Sequence, residues 1–201
     1  MQGQFGMADA LVVILKLKQA LNEKIYCSHE VQMGIIYSKA LQKQIKKSGI
    51  KQGYELIKDL EEFNCLDATL YTMNMLLTEH LQLIKNKDIK MFTILFKSKS
   101  MGKKYSHIVL GICVNGKFGA LGLSRAKTLT CKPFYFDSLS GLVSNYTASF
   151  KTLNHNIDKI YIGDVVVAKH LNLPFNWKKY TVFVNDKCSS HLDLIAKKIN
   201  F

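Results

Sequence analysis

The sequence predicts an α+β fold: an N-terminal helical part packed on a mainly antiparallel sheet with flanking helices. Three observations carry this. Apolar residues recur at helical spacing from Met7 to Leu83; after Lys90 the period shortens toward that of strands; and Asn115-Gly116 lies between two apolar runs. Asn-Gly tolerates the two positive φ values of a type I′ turn, so it is a strong signal for a two-residue hairpin. Helices first, then strands interleaved with helices, argue α+β over a parallel α/β array. A chain of 201 residues can bury one sizeable core. The expected division is a helical subdomain over 1–62 and an α+β subdomain over 63–201, joined in one compact unit.

Taken in order, the first helix is predicted from Met7 to Asn22, with Leu11, Ile14, Leu15, Lys18 and Leu21 at helical spacing and Val12, Val13 and Leu17 widening the apolar surface. A second is expected over 30–47, its last turn carrying Lys43, Lys46 and Lys47 and its stop at Ser48-Gly49. A third covers 52–61. Asn64 is a good N-cap for a fourth, running to about Leu83, with Asp67 placed to complement its first turn. Cys65 shares a face there with the small residues Ala68, Thr69 and Thr72, which permit close approach to a sheet.

Met91–Phe96 is a strand, and KSKSMGKK reads as a basic turn into the hairpin centred on Asn115-Gly116. Beyond Arg125 a loop is expected through Pro133, then a helix capped near Asp137 or Ser138 with Leu139, Leu142, Val143, Tyr146 and Phe150 buried. Strands over Ile157–Val166 and Lys178–Val184 and a helix from Ser189 or Ser190 complete the chain.

Composition limits the partners. There are 28 Lys+Arg against 15 Asp+Glu, a net charge of +13, and Arg125 is the single arginine. Such a charge suits a solvated surface or an acidic partner. No arginine-rich groove reader, zinc module or aromatic stacking motif is present, and no nucleic-acid ligand is expected. Five cysteines without paired spacing point away from zinc and toward a reducing compartment. The apolar run Ala10–Leu15 is too short to span a bilayer, so no membrane span is expected and the default setting is cytoplasmic.

The hairpin register brings chemistry together. With Asn115 and Gly116 as the loop, Val114 faces Lys117, and the same register continued backward sets His107 opposite Ser124 in a non-hydrogen-bonded pair. The His107 face of the hairpin is lined by Gly111, Ala120 and Gly122, and the Cys65 helix is expected to lie against it. A thiol at a helix N-terminus beside an imidazole is a nucleophile and its base, because the positive helix end favours the thiolate. Ser124 is placed to orient the ring through its hydroxyl or its carbonyl. Glu61, Glu62 and Asp67 oppose thiolate formation. Taken without that context, Cys65 is a small buried hydrophobe and His107 an edge histidine.

The run HIVLG, then GKFGALGLSR, then Lys132-Pro133, together with NCLDATLYTMN around Cys65, resembles the vasohibin family. Vasohibins are transglutaminase-like cysteine peptidases that act as tubulin tyrosine carboxypeptidases. The resemblance implies Cys65 as nucleophile, His107 as general acid/base, Ser124 as the orienting third member, and Arg125 as the group that holds the α-carboxylate of a terminal tyrosine. The family's tyrosine beside the site falls on Tyr26, with Tyr37 as competitor. Its lysine before the cysteine is replaced by Asn64, and Lys103 or Lys104 is expected to compensate. No metal or cofactor is implied. The implied partners are the acidic α-tubulin tail and a small helical protein on the N-terminal helices, in a cytoplasmic, microtubule-associated setting. The alternatives are a transglutaminase-like acyltransferase and a non-catalytic microtubule-binding module.

Overall fold

A computed structural model describes residues 7–26, 61–85, 89–100, 103–165 and 178–199. The helix expected over 30–47, with Tyr37, and residues 52–60 of the next lie outside the described residues; Glu61, the last residue of that expected helix, is a bend. Among those described, no helix is long and apolar enough to cross a membrane.

The chain opens with α1 (Met7–Asn22), then β1 (Ile25–Tyr26) and β2 (Glu62–Phe63), a short parallel pair. α2 (Cys65–Glu79) and α3 (Leu81–Lys85) follow. Six strands then form one antiparallel sheet: β3 (Lys90–Ser100), β4 (Lys103–Val114), β5 (Lys117–Leu121), β6 (Lys132–Phe136), β7 (Asn156–Asp164) and β8 (Lys178–Phe183). Their spatial order is β6-β5-β4-β3-β7-β8. A 3₁₀ turn, Lys127–Leu129, precedes β6; α4 (Leu139–Thr152) joins β6 to β7, and α5 (Cys188–Ile199) ends the described chain.

Strand alternation gives the sheet two apolar faces, and each has its own helices. On one, Leu110, Ile112 and Val114 of β4 meet Val13, Leu17 and Leu21 of α1 and Ala68, Met73 and Leu76 of α2. On the other, Phe92, Ile94 and Phe96 of β3 and Val109 of β4 meet Leu142, Tyr146 and Phe150 of α4 and Leu192 of α5. This corrects the sequence reading, which set the Cys65 helix on the glycine-lined face. A Cβ on Gly111 would collide with the Phe92 ring, and one on Gly122 would lie 2.6 Å from Val109 Cγ1. The sheet's own side chains fill those spaces, so the glycines do not mark a docking surface for α2.

The Asn115-Gly116 turn forms as predicted, with φ of 47° and 75°. Its register also holds, from Val114↔Lys117 to Leu110↔Leu121. The ladder stops there, so the rung that would pair His107 with Ser124 is not made. Elsewhere the strands run further than expected. KSKS and KKYS belong to β3 and β4, which pair as far as Ser100↔Lys103, and Pro133 lies in edge strand β6 and not in a loop. An edge strand tolerates a residue without an N–H.

The helices show smaller differences. α1 buries Ala10, Val13, Ile14, Leu17 and Leu21, leaving Leu15 at 63% exposure. The buried stripe is thus rotated from the expected one. α2 ends at Glu79 and not near Leu83; His80 caps it and α3 restarts at Leu81, which returns Leu83 and Ile84 to the core. α4 has the expected buried residues, and of the two expected caps it uses Ser138, whose Oγ accepts the Gly141 N–H at 3.0 Å.

Candidate active site

The site begins with a cap. Asn64 Oδ1 accepts the backbone N–H groups of Leu66 at 2.7 Å and Asp67 at 3.2 Å. The Asp67 carboxylate in turn accepts the Asn64 backbone N–H at 2.9 Å and a second bond from the Asn64 side-chain amide. This capping box satisfies donors that the helix start would otherwise leave open, and fixes Cys65 at the first position of α2. Asn64 and Asp67 are both buried. The Asn64 side chain is committed to the cap, so it does not stand in for a lysine reaching toward a ligand.

Cys65 opens the helix that packs on β4. In a two-residue hairpin the closing pair is hydrogen-bonded, so Val114, Ile112, Leu110 and Ile108 direct their backbone groups toward β5 in turn. Because β5 ends opposite Leu110, the Ile108 N–H has no strand partner on that side, and its amide favours the thiolate form of Cys65. Burial drives the thiol pKa above its ordinary value, with the nearby Asp67 carboxylate adding to the rise. The Ile108 amide and the backbone amides of Cys65 and Leu66 act in the opposite direction and do not overcome it. The resting sulfur is therefore a protonated thiol at neutral pH.

His107 precedes Ile108 and is 6% exposed. Its ring lies among those of Tyr146 and Phe150, with centroids 6.5 Å and 6.2 Å away. Its Nε2 is 2.9 Å from the carbonyl oxygen of Leu129 in the 3₁₀ turn. A carbonyl only accepts, so Nε2 carries the proton and Nδ1 is the basic nitrogen. Burial lowers the pKa to about 4, and the Leu129 bond offsets part of that fall. Thiol and imidazole are thus both uncharged at rest.

That depression carries a stability prediction. In the unfolded chain the imidazole titrates near 6.5, while in the fold it stays neutral down to about 4. As pH falls through this window the unfolded state takes up a proton that the native state cannot. The native state keeps its full advantage above pH 6.5 and loses about 3 kcal/mol of it by pH 4. Denaturant unfolding of wild type and His107→Gln across pH 4–7 checks this: the difference between them should narrow as pH falls. A constant difference would mean that His107 is not held neutral.

Ser124 lies beyond the end of β5, and its Oγ accepts the Ala126 N–H at 3.3 Å. The ring-orienting hydrogen bond goes to Leu129. Sequence reasoning missed that residue, since a backbone oxygen leaves no side-chain signature. Arg125 is exposed in a bend after the irregular residues 122–124, which frees it from strand alternation relative to Ser124. Tyr26 is half-buried and in register with Phe63, two residues before Cys65. Lys103 and Lys104 begin β4, three to four residues before His107, or roughly 10–13 Å along the strand; their side chains lie outside the described residues. Among the described residues, no group of His, Cys, Asp and Glu is arranged to hold a metal ion.

Comparison with known proteins adds two findings. The family model described as Vasohibin matches residues 30–198. Tubulinyl-Tyr carboxypeptidase 1 of Mus musculus is 34% identical over 128 residues, covering 61% of this chain and 32% of that protein. The chain therefore spans about a third of the length of the curated relative it matches.

Proposed function

From the premise that this chain belongs to the vasohibin family, we propose that it is a transglutaminase-like cysteine carboxypeptidase that removes the C-terminal tyrosine of α-tubulin. The observation that carries the proposal is the packing of α2, which Cys65 opens, against β4, which bears His107. The relative's name supplies the substrate. In this reading the catalytic groups lie within residues 63–201.

In this reading Nδ1 of His107 takes the thiol proton as the Cys65 sulfur attacks the carbonyl carbon of the last peptide bond. The imidazolium so formed is held by the Leu129 carbonyl and gives its proton to the departing tyrosine nitrogen. Water then loses a proton to the same Nδ1 and cleaves the thioester, releasing the shortened tail as a carboxylate. Leu129 takes the orienting place expected of Ser124, and Ser124 shapes the bend that carries Arg125. Arg125 grips the free α-carboxylate with two parallel charge-assisted bonds, which restricts cleavage to the chain end. Tyr26, Lys103 and Lys104 are assigned to substrate binding. The net charge of +13 draws in an acidic tail and favours microtubule association in the cytoplasm. Val12 and Leu15 of α1, 49% and 63% exposed, are the proposed seat of a small helical partner.

The test is mass spectrometry of a tubulin-tail peptide incubated with the protein, with and without an added primary amine. Loss of one tyrosine is the expected result. Incorporation of the amine would instead identify an acyltransferase, and an unaltered peptide that still binds would identify a non-catalytic module.

A further inference from the structure

The turn that holds His107 is itself held. Five successive carbonyls, from Ala126 to Thr130, each accept a hydrogen bond. Ala126 O takes the Leu129 N–H at 2.8 Å, and Lys127 O takes the Thr130 N–H at 3.3 Å and the Thr130 hydroxyl at 2.7 Å. Thr128 O takes the Lys132 ammonium at 2.7 Å, Leu129 O takes His107 Nε2 at 2.9 Å, and Thr130 O takes the Tyr146 hydroxyl at 2.7 Å. The carbonyl facing the imidazole is thus flanked on both sides by carbonyls fixed from other elements, by a side chain of β6 and a side chain of α4.

Those two side chains also fix each other. Lys132 Nζ lies 5.0 Å from the centroid of the Tyr146 ring and donates a further bond to Ser149 Oγ at 3.1 Å. Tyr146 is fully buried, and its ring is one of the two beside His107. A 3₁₀ turn of three residues has little rigidity of its own. Without outside support its carbonyls would turn toward solvent, and an acceptor that turns away leaves the imidazole free to exchange tautomers.

We propose that Lys132 and Tyr146 are positioning residues for His107, a clamp that aims the Leu129 carbonyl at Nε2 and so keeps Nδ1 as the basic nitrogen. This deepens the proposed mechanism and rests on its Leu129–His107 contact. Neither residue touches the substrate in this role. Their effect falls on kcat through the fraction of enzyme whose imidazole presents the correct nitrogen, and not on substrate affinity.

The experiment is nitrogen NMR of histidine-labelled, substrate-free protein at pH 7, with the His107 signals assigned by their loss in His107→Gln, applied to wild type, Tyr146→Phe and Lys132→Met. Wild type should show one tautomer, protonated at Nε2, and both variants a mixture. In the tyrosine-release assay kcat should fall by about tenfold with KM little changed. Near-ultraviolet circular dichroism checks folding, and if Tyr146→Phe loses its tertiary signal the half-buried Lys132 decides the matter. Variants that keep the single Nε2–H tautomer overturn the clamp alone. A wild type without that tautomer removes the Leu129 contact and the clamp together. Absence of tyrosine release in wild type sinks the assigned reaction, while the tautomer measurement still decides the clamp.

Discussion

Replacing Cys65 with alanine is expected to abolish tyrosine release, by about 10⁴-fold or more, while leaving the fold and the binding of an acidic tail intact. The size of the effect follows from chemistry: without the sulfur there is no nucleophile and no acyl intermediate, and what remains is binding. The tolerance follows from structure. Cys65 is the first residue of α2, and its helix start is held by Asn64 and Asp67, neither of which uses the thiol. Alkylation supplies a companion measurement. A thiol raised by burial and by Asp67 should react with iodoacetamide more slowly at pH 7 than a free cysteine, and accelerate as pH rises. Wild-type turnover in Cys65→Ala would end the assignment of this thiol. Rapid alkylation at pH 7 would mean that the resting pair is ionic and not neutral.

Arg125→Lys should lower kcat/KM by about 10- to 100-fold, chiefly through KM. That is the scale expected when a charge-assisted hydrogen bond to a carboxylate is lost. Lysine keeps the charge and loses the planar fork, so the experiment isolates geometry from electrostatics. Stability should stay within about 0.5 kcal/mol, because Arg125 is exposed in a bend and belongs to neither core. A tail peptide ending in tyrosine amide gives the sharper control. Wild type should discriminate strongly against it, and Arg125→Lys should discriminate much less. Equal discrimination in the two proteins would remove Arg125 from carboxylate recognition, whatever the absolute rates.

The sequence by itself determined the features that depend on neighbours along the chain. The Asn115-Gly116 turn needs only two residues that accept positive φ. The caps at Asn64 and Ser138 need only a side-chain oxygen within three residues of an unpaired N–H. The buried stripe of α4 is written in its spacing, and hairpin register followed from the turn as far as Leu110↔Leu121. Cys65 at a helix start was also legible, as was the family itself.

Tertiary structure decided what depends on contacts between distant segments. Alternation says that β4 has two faces, but not which helices cover each; volume settles that, since Phe92 and Val109 already fill the space beside the glycines. The end of β5 at Leu121 leaves the Ile108 amide without a strand partner on that side, where it favours the Cys65 thiolate. The orienting partner of His107 is a backbone oxygen, which every residue possesses and which no residue type reveals. Only the packing of Lys132 and Tyr146 around the turn directs that oxygen toward the ring.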